Sequence, residues 1–503
     1  MSEAIAGLPP PPPPSTPRDA TVVIPIRTGA HGRQVFWVHR GRSVSFFAGF
    51  RAFPGGRLDA ADQGLALPGF SGEDAALRVG ALRELFEETG LLLVEGTAPD
   101  AEALRSWRGR LLDGTGTFAE MLDALGAKLD AARLRPAGRW VTPAYLPSRF
   151  DARFFLLELR EGETAEVWPG ELASGEWVRP ADALARWAQG ETLLHPPNLN
   201  ALLALNEAAD LESLLHRLRE PPHVHDFVTD RVEFQQGIRL FPLRTPTLPP
   251  ASHTNCYLVG NGELLLIDPG ASDADEQTRL AQHLRQLQAE GLRPKAVFLT
   301  HHHGDHTGAL EMLRSEFNLP VWCHAETAQR VGKADRLVVD GEHLMLAGEP
   351  DLELVALHTP GHAPGHLCLF HPASRALLCG DMVANGSTII VDPPEGKMRA
   401  YLASLERLKA LPTGTLYPAH GAPLADGIAK LDEYLAHRRL RIEAIAAALT
   451  ADRELAAGEV VAQVYTDVPE AIWPIAERSA LASLEYLVEE GRAVQVGGRF
   501  RRA

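Results

Sequence analysis

The feature that most limits how this chain can fold is a run of metal-binding side chains directly after an apolar strand. The run reads T-H-H-H-G-D-H at 300–306, and the predicted strand is 296–299. His301 and His303 lie two residues apart in extended chain, so both side chains point to the same side. The final aspartate and histidine lie on the turn into the next helix. This pattern predicts a metal site at the edge of an α/β sheet.

Further metal-binding side chains follow later strands of the same region. They are His362, Asp381 and His420, and Asp268 stands in an equivalent position after the strand at 264–267. Strands alternate with helices from about 236 to 418, which predicts a layered α/β sandwich. In such a fold the ends of several strands share one edge, where ligands and metals collect. We therefore expect these side chains to meet.

The chemistry of these side chains divides them between two metal positions. A tetrahedral zinc with an open fourth position would be bound by three neutral imidazoles, those of His301, His303 and His362. A second, harder position would be formed by Asp305, His306 and His420. Asp381 would bridge the two ions, because a carboxylate has one oxygen for each. Asp268 would lie behind them and orient a histidine through its other ring nitrogen.

Two such ions can share a hydroxide, because metal coordination lowers the pKa of water from about 15.7 to about 7. A nucleophile is then available at neutral pH, which indicates a hydrolase. The chain has 20 histidines among 503 residues, and isolated ones such as His324 and His366 are predicted to be structural. Chance clustering does not explain the H-x-H-x-D-H run together with three later ligands.

The H-x-H-x-D-H run with the later His362, Asp381 and His420 resembles the metallo-β-lactamase superfamily over 236–434. The resemblance implies an αββα sandwich and a hydrolase with two Zn²⁺ ions, in which Asp305 is also catalytic. Class B β-lactamases of the best-known kind have a cysteine at the position of Asp381, so β-lactam hydrolysis is disfavoured. Retention of both acid and histidine at 305–306 argues against the mononuclear iron persulfide dioxygenases. The glyoxalase II and endoribonuclease branches remain.

The last part of the chain, 435–503, predicts a winged helix. Its predicted elements are helices at about 431–449, 457–465 and 474–490 and a hairpin at 491–499. The E-A-I-W-P-I-A sequence at 470–476 resembles the β-lactamase-like protein 2 group, to which RNA cleavage is attributed. The last helix carries four glutamates, and Arg478 is its only side chain suited to reading bases. We therefore expect no sequence-specific DNA binding.

A second group of acidic side chains lies nearer the start of the chain. Glu84, Glu87 and Glu88 occupy positions i, i+3 and i+4, so they share one face of a predicted helix. Carboxylates on one face repel each other unless a positive charge compensates. Arg83 offsets part of this repulsion, and Mg²⁺ would offset it better. The alternative is a solvated acidic face at the end of a helix.

The sequence around these glutamates resembles the Nudix box, G-x5-E-x7-R-E-U-x-E-E-x-G-U with U apolar, within a domain of 19–211. The second half is complete from Arg83 to Leu91, but F-P-G-G at 53–56 stands about 13 residues too far upstream, and Ala75 occupies the first glutamate position. The extra residues are expected to loop out between Asp59 and Phe70. The sequence at 149–155 is similar to the coenzyme A diphosphatase-like subgroup.

This second resemblance implies an α/β/α sandwich and a metal-assisted attack of water on a diphosphate linked to another group. Mg²⁺ or Mn²⁺ would be bound by Glu84, Glu87 and Glu88, with Glu87 or Glu88 as the catalytic base.

Composition narrows the classes of protein further. Lys+Arg 49 against Asp+Glu 65 gives a net charge of −16, so nucleic-acid binding would have to be local. Four cysteines without a C-x-x-C pair favour a reducing compartment. The apolar stretches are shorter than the ~20 residues of a membrane span, and the first residues do not resemble a secretory signal. We therefore expect a cytoplasmic protein without a membrane partner.

Together these patterns predict an α/β multidomain hydrolase. It would have a disordered Pro-rich tail at 1–18, a Nudix-like domain, a linker at 212–235, a metallo-β-lactamase-fold domain and a winged helix. The predicted substrates are small molecules, a diphosphate-linked compound for one site and a thioester or ester for the other. The alternative is an endoribonuclease that acts on single-stranded RNA, with a non-catalytic, nucleotide-sensing Nudix domain.

Overall fold

The computed structural model describes residues 14–29, 32–41, 47–146, 148–168, 171–229, 231–249, 251–332 and 334–503. They form two compact units, with the division in sequence between Gln236 and Gly237. Most of the tail predicted at 1–18 lies outside the described residues, and Arg18 already begins a strand.

The first unit, residues 14–236, is built on one mixed sheet. The strands of this sheet are β1 (Arg18–Gly29), β2 (Gly32–Arg40), β3 (Arg51–Ala52), β4 (Gly55–Arg57), β5 (Arg135–Val141), β6 (Phe150–Glu158) and β7 (Leu172–Val178). Strands β8 (Val224–His225) and β9 (Val228–Thr229) pair with each other, and β10 (Val232–Gln235) also lies outside this sheet. Its helices are α1 (Gly72–Thr89), α2 (Ala101–Leu112), α3 (Phe118–Leu125), α4 (Pro180–Ala188), α5 (Pro196–Glu207) and α6 (Leu211–Arg219), with short 3-10 helices at Ala60–Gly64 and Ala131–Arg133. The sheet order is β3-β2-β1-β6-β5, with β4 paired to β1 and β7 paired to β2.

Alternation along the central strands places helices on both sides of this sheet. In β6, Phe155 and Leu157 pack with α1 and α3 on one face, whereas Phe154 and Leu156 pack with α5 and α6 on the other. Successive side chains of a strand point to opposite faces, so the continuous apolar run of β6 serves both layers. The α/β/α sandwich predicted for this part of the chain is confirmed.

The segment 212–235, predicted to be a linker, is instead folded into the first unit. Its first part lies in α6, where Leu214 and Leu218 are buried against the sheet. Asp210 caps this helix by accepting a hydrogen bond from the N–H of Ser213 at 2.8 Å. The helix has only nine residues and is followed by Pro221-Pro222, so its periodicity is too short to be recognised from sequence.

The second unit, residues 237–503, contains two larger sheets and a short hairpin. Its strands are β11 (Ile238–Arg244), β12 (His253–Val259), β13 (Glu263–Ile267), β14 (Arg293–Phe298), β15 (Val321–Cys323), β16 (Arg336–Leu337), β17 (His343–Leu346), β18 (Leu352–His358), β19 (Leu367–His371), β20 (Ala376–Gly380), β21 (Thr415–Pro418), β22 (Ala493–Val496) and β23 (Arg499–Arg502). Its helices are α7 (Ala274–Ala289), α8 (Gly304–Thr307), α9 (Leu310–Phe317), α10 (Ala325–Val331), α11 (Met398–Lys409), α12 (Gly427–Ala448), α13 (Ala457–Val464) and α14 (Trp473–Glu489), with a 3-10 helix at Glu470–Ile472.

Both faces of the two larger sheets are buried. Strands β11 to β16 lie in sequence order in one sheet, and β17 to β21 lie in sequence order in the other. In β13, Leu264 and Leu266 pack with α7 and α9, while Leu265 and Ile267 are equally buried on the opposite face. Strand β19 alternates in the same way, with Cys368 in the core that contains α11 and α12. This is the predicted αββα sandwich.

The C-terminal helices share a core with the second of these sheets. Helix α12 is continuous across the domain boundary predicted at 434/435. Leu431 before that boundary and Ile442 after it belong to one buried cluster with α11, α14 and β20. Strands β22 and β23 pair as the hairpin of the wing. The winged helix is therefore present as an extension of the core of the sandwich.

No helix among the described residues combines the length and apolar composition needed to cross a lipid bilayer. The four cysteines, Cys256, Cys323, Cys368 and Cys379, are buried and unpaired, so the fold uses no disulfide. The cytoplasmic location stays a prediction.

Leu484 tests whether the C-terminal helices stabilise the sandwich. Its side chain in α14 is completely buried in the cluster shared with α11 and α12. Leu484→Ala should lower the free energy of unfolding of the second unit by about 2 to 5 kcal/mol, because the substitution removes apolar contacts and leaves a cavity. Hydrogen exchange of the β20 and β21 amides measures this loss in the sandwich itself.

The control is Leu440→Ala, because Leu440 in α12 is 67% exposed. This substitution should change stability by less than about 0.5 kcal/mol. Faster exchange in α14 with unchanged exchange in β20 and β21 would show that the C-terminal helices fold independently of the sandwich.

Candidate metal centres

The strand ends of the second unit bring its candidate ligands to one place. Asp268 follows β13, the run at 300–306 follows β14, Asp381 follows β20 and His420 comes shortly after β21. His362 lies in the loop between β18 and β19. Strands β13 and β14 are parallel neighbours, as are β20 and β21, so the carboxyl ends of each pair fall together.

Three imidazole nitrogens meet in a first cluster. Nε2 of His301 lies 2.9 Å from Nδ1 of His303 and 3.3 Å from Nε2 of His362. The nitrogens of His303 and His362 are 3.0 Å apart. A tetrahedral zinc with bonds of about 2.0 Å holds its ligand nitrogens about 3.3 Å apart. The spacing of the three nitrogens is therefore close to what one zinc ion requires.

A second cluster combines one carboxylate with two imidazoles. The ligand atoms of Asp305, His306 and His420 all lie within 4.8 Å of one another. Nε2 of His306 is 3.9 Å from Oδ1 of Asp305, and Nε2 of His420 is 3.6 Å from Oδ2 of the same carboxylate. All three side chains are buried, so this cluster is a candidate position for a harder ion.

Asp381 lies between the two clusters. Its Oδ2 is 3.5 Å from Nε2 of His362 in the first. Its Oδ1 is 3.6 Å from Nε2 of His306 and 3.4 Å from Nε2 of His420 in the second. Burial opposes ionisation of this carboxyl, but His420 and His306 hold its pKa well below its usual range. One oxygen of an ionised carboxylate thus faces each cluster.

Hydrogen bonds behind the clusters decide which nitrogen of each imidazole faces inward. Nδ1 of His362 donates to the carbonyl of Ile390 at 2.7 Å, and Nδ1 of His420 donates to the carbonyl of His253 at 3.0 Å. A carbonyl oxygen only accepts, so each Nδ1 carries the proton. In the neutral ring each Nε2 then presents a lone pair to the cluster, which is the form that binds a metal. Asp381 and Asp305 raise the pKa of His420 against the effect of burial, so a metal bound there would displace a proton.

Asp268 lies behind the histidines. Its Oδ2 is 2.9 Å from Nδ1 of His306 and accepts a hydrogen bond from the hydroxyl of Thr300 at 2.7 Å. That hydroxyl is 3.0 Å from Nδ1 of His301, so it can accept the imidazole proton. Asp268 has a φ of 53°, a left-handed conformation that is uncommon for residues other than glycine. This backbone turn at the end of β13 directs the carboxylate toward two histidines.

Three buried atoms of the cluster side chains make no hydrogen bond within the described part of the chain, namely both ring nitrogens of His306 and Oδ1 of Asp381. Nδ1 of His306 faces the carboxylate of Asp268, whereas Nε2 of His306 and Oδ1 of Asp381 face each other at 3.6 Å. Such atoms are rare, because each costs about 1 to 3 kcal/mol when unpaired. A cation between them would satisfy both. Burial and neighbouring imidazoles also lower the pKa of His301 and of His303 well below the usual range, which favours the neutral form. The donor set therefore fits metal ions.

Two further histidines of this region face other partners. Nε2 of His302 is 2.9 Å from Oε2 of Glu395. Nε2 of His366, predicted to be structural, accepts the backbone N–H of Asp381 at 3.1 Å. This contact supports the carboxylate between the clusters, but it involves a main-chain amide, so no side-chain pattern in the sequence could indicate it.

The first unit carries the other candidate site, on α1. Nη1 of Arg83 donates to Oε1 of Glu84 at 3.0 Å and to Oε2 of Glu87 at 3.2 Å. Glu88 instead accepts the N–H of Gly55 at 2.8 Å. Among the residues described, the ligand atoms of these three glutamates do not all lie within 4.8 Å of one another. Arg83 thus occupies the space between two of the carboxylates.

The three carboxyl groups of α1 are incompletely compensated. Burial raises the pKa of Glu84 to about 7, with Glu87 adding to the effect against the influence of Arg83. Burial and the nearby Glu84 raise the pKa of Glu88 well above its usual range. The pKa of Glu87 is raised by burial as well. A divalent cation would favour the ionised form of all three, so this donor set also fits a metal.

The extra residues of the Nudix box lie mostly exposed between Asp59 and Phe70, as the predicted loop would, but they are anchored at two points. They fold back onto α1, where the buried carboxylate of Asp62 accepts two hydrogen bonds of 2.9 Å from Arg83. Leu67 is buried in the same core. Gly80 makes room for this approach, because a Cβ there would lie 3.2 Å from Oδ2 of Asp62. Asp62, an acid from within the insertion, is thus a partner of Arg83. The first glutamate position of the Nudix box is Ala75, which offers no carboxylate.

Two more contacts complete the surroundings of α1. A Cβ at Gly56 would lie 2.5 Å from the carboxylate of Glu84, so the F-P-G-G segment must have glycine here. Arg108 in α2 donates to the carbonyls of Glu87 and Glu88 at 2.9 and 2.7 Å and holds the end of the helix. Arg108 was not predicted from the sequence, because it lies outside the Nudix box and both of these hydrogen bonds go to backbone oxygens.

Comparisons with known proteins assign families to these parts of the chain. The Metallo-beta-lactamase superfamily model matches residues 249–420. The NUDT19 Nudix domain model matches 66–205, and the Beta-lactamase associated winged helix domain model matches 456–501. The fold, the two clusters of candidate metal ligands and these matches define the chain as a protein of the metallo-β-lactamase fold with a Nudix domain and a winged helix.

Curated relatives share part of this chain. It is 35% identical over 207 residues to the Lactamase-like protein adaB of Aspergillus niger, covering 40% of this chain and 60% of that protein, which is less than two thirds of its length. It is 29% identical to the Beta-lactamase-like protein 2 homolog of Caenorhabditis elegans, covering 47% of this chain and 79% of that protein. It is 35% identical to the Atrochrysone carboxyl ACP thioesterase of Aspergillus chevalieri, covering 43% of this chain and 69% of that protein. The chain belongs to the metallo-beta-lactamase superfamily.

Asp62 and Asp59 allow a matched test of the buried pair on α1. Asp62→Asn should lower the free energy of unfolding of the first unit by about 3 kcal/mol, because it removes the buried carboxylate that binds the Arg83 guanidinium through two hydrogen bonds. Asp59 is 3.7 Å from Arg83 and its side chain is 64% exposed, so Asp59→Asn should change stability by less than about 1 kcal/mol. Hydrogen exchange of the α1 amides is the measurement. Equal effects of the two substitutions would contradict a special role for Asp62.

Proposed function

We propose that the second unit is a hydrolase with two Zn²⁺ ions that cleaves a thioester or another small ester. The observation that carries this proposal is the position of Asp381, whose two oxygens face two different clusters of ligand atoms. His301, His303 and His362 would hold one ion, and Asp305, His306 and His420 the other. The ions would supply a nucleophile from water at neutral pH.

The residues around the ligands prepare them for this chemistry. The carbonyls of Ile390 and His253 each hold one histidine with Nε2 directed inward. Asp268 holds His306 from behind. Asp305 is proposed as both ligand and catalytic residue, because it belongs to the second cluster and contacts the ion that would bind the reacting water. The Nδ1 atoms of His362, His420 and His306 thus face away from the proposed metal positions.

Two observations favour a thioester or ester as the substrate. Asp381 stands at the position where the best-known β-lactamases of the superfamily have cysteine, which disfavours a β-lactam. The relative from Aspergillus chevalieri, at 35% identity, is named a thioesterase. We therefore propose an acyl thioester as the first substrate class to assay.

Cleavage of single-stranded RNA is the second candidate. It is favoured by the winged helix and by the relative from Caenorhabditis elegans, whose name is that of the β-lactamase-like protein 2 group. It needs a basic path for the phosphates. However, Arg492 pairs with Glu443 at 2.7 Å, and Arg499 pairs with Glu459. These arginines of the C-terminal part are already neutralised, so we place RNA second.

For the first unit we propose hydrolysis of a diphosphate-linked compound with Mg²⁺ or Mn²⁺. Glu84, Glu87 and Glu88 would hold the cation, which would neutralise the charge that develops on the phosphate oxygens. The raised pKa values of these carboxyl groups, caused chiefly by burial, support the assignment, because a cation would favour their ionised form. A nucleotide sensor that binds without turnover is the alternative for this unit.

Asp381→Ala tests the two-ion assignment. The wild-type chain should contain close to two zinc ions, and the variant should contain about one or fewer, because the carboxylate that serves both positions is gone. Hydrolysis of acyl thioesters such as S-lactoylglutathione should fall in parallel by at least about 100-fold. Metal analysis and steady-state assays are the measurements, with single-stranded RNA as a second substrate.

The matched control is Asp432→Ala, because Asp432 is 51% exposed and pairs with Lys409 on the surface. It should retain both ions and full activity. Two zinc ions and full activity in Asp381→Ala would rule out the bridging role.

Glu87→Gln and Glu88→Gln test the site on α1. Each should reduce the hydrolysis of diphosphate-linked compounds by at least about 100-fold, because a neutral amide binds the divalent cation poorly. The assay uses the full chain with Asp381→Ala, so that the second unit does not contribute. The control is Glu102→Gln, on the exposed first turn of α2. Wild-type turnover in the Glu88→Gln chain would leave these glutamates as an acidic helix face only.

A further inference from the structure

Three consecutive residues of the second unit each bind a different part of the chain. They are Ile389, Ile390 and Val391, which begin the 389–395 segment. This segment lies between β20 and α11 and contains no helix or strand. Because no sheet or helix fixes its backbone, its position depends on the burial of Ile389 and Val391 in the core and on the side chains that bind its peptide groups.

The middle residue holds a candidate zinc ligand. The carbonyl of Ile390 accepts the Nδ1 proton of His362 at 2.7 Å. This bond sets both the tautomer and the plane of the ring, and so decides where Nε2 points. A displacement of this carbonyl would therefore move a metal ligand.

The two neighbours of Ile390 are held by the C-terminal helices. Arg438 in α12 donates to the carbonyl of Ile389. The N–H of Val391 donates to the hydroxyl of Ser479 in α14 at 3.2 Å. Both of these side chains are buried, so water competes little for the bonds. The peptide unit that contains the critical carbonyl and the peptide unit before it are thus fixed by helices that contribute no ligand.

The end of the 389–395 segment is tied to the other ligand-bearing loop. Oε2 of Glu395 is 2.9 Å from Nε2 of His302, which stands between the ligands His301 and His303. Oε1 of the same carboxylate accepts a hydrogen bond from Arg330 at 2.7 Å. The segment therefore contacts ligand-bearing loops at residues 390 and 395 and the C-terminal helices at residues 389, 391 and 392.

We infer that α12 and α14 position the zinc ligand His362 through the carbonyl of Ile390, with Ser479 and Arg438 as the positioning residues. The inference rests on the proposed zinc site. It gives the C-terminal helices a role in metal binding, although they supply no ligand. A loop held by one bond would leave the imidazole free to tilt, whereas bonds on both sides restrict the carbonyl to one direction.

Ser479 and Ser483 separate this role from simple packing. They lie one turn apart in α14 and are 8% and 3% exposed. The hydroxyl of Ser483 donates to the carbonyl of Ser479 at 2.9 Å, within the helix. Each serine→alanine change removes one buried hydroxyl from the same helix, but only Ser479→Ala removes a bond to the 389–395 segment.

The test compares zinc affinity and thermal stability in the full chain. Ser479→Ala should weaken the binding of one of the two zinc ions by about 10-fold or more, the effect typical of losing support behind a ligand. Ser483→Ala should change zinc affinity by less than about 2-fold, and the two zinc-free variants should melt at similar temperatures. Competition with a chelating indicator measures the affinities.

Unchanged zinc binding in Ser479→Ala, or an equal loss in both variants, would overturn the positioning role while the proposed hydrolase stands. A wild-type chain that binds no zinc would overturn the proposed function and, with it, this inference.

Discussion

A buried group of imidazoles and carboxylates can persist only if each ring has a fixed partner on its outer side, and this requirement shapes the second unit. His362 and His420 depend on carbonyls, and His306 depends on Asp268. These partners come from β12, from the end of β13 and from the loop before α11, so distant parts of the chain must be placed together before the ligands can converge. The sheet edges bring the ligands near each other, but the outer partners give each nitrogen its direction. The charge deficit that remains inside is what two cations would fill.

In the first unit, the side chain of Arg83 holds several acidic groups together. Arg83 binds Asp62 through two hydrogen bonds and also contacts Glu84 and Glu87. Its guanidinium is thereby committed to the acid of the insertion, and the helix carboxylates keep raised pKa values. A positive charge fully available to the glutamates would instead lower those values. The buried pair therefore stabilises the helix while leaving the carboxylates short of positive charge, which is the condition under which a divalent cation binds well.

The sequence was sufficient for those features that local pattern determines. The order of the three folded parts and the seven side chains of the two clusters follow from strand ends and ligand chemistry, because both are visible within a few residues. Asp62, Arg108 and the 389–395 segment were not predictable, because each acts through contacts made only after the chain has folded. The prediction of a linker at 212–235 was wrong for a different reason. Helix α6 is too short to show periodicity, and its burial depends on the sheet. Local patterns thus indicate which side chains are candidate metal ligands, and long-range contacts decide how those side chains are oriented.

The charges of α14 show how a winged helix can serve a hydrolase without reading DNA. Arg478, the side chain best suited to contact bases, pairs with Asp392 at 2.6 Å. Glu485 and Glu489 pair with Lys397 and Arg399 at the start of α11, at 3.1 and 2.8 Å. Exposed ion pairs of this kind add little stability, but they fix the direction in which α14 lies on α11, and the buried leucines beneath supply the binding energy. The acidic side chains that would repel phosphates are therefore the same ones that pair with the start of α11, which accounts for the acidic composition of α14 without DNA binding.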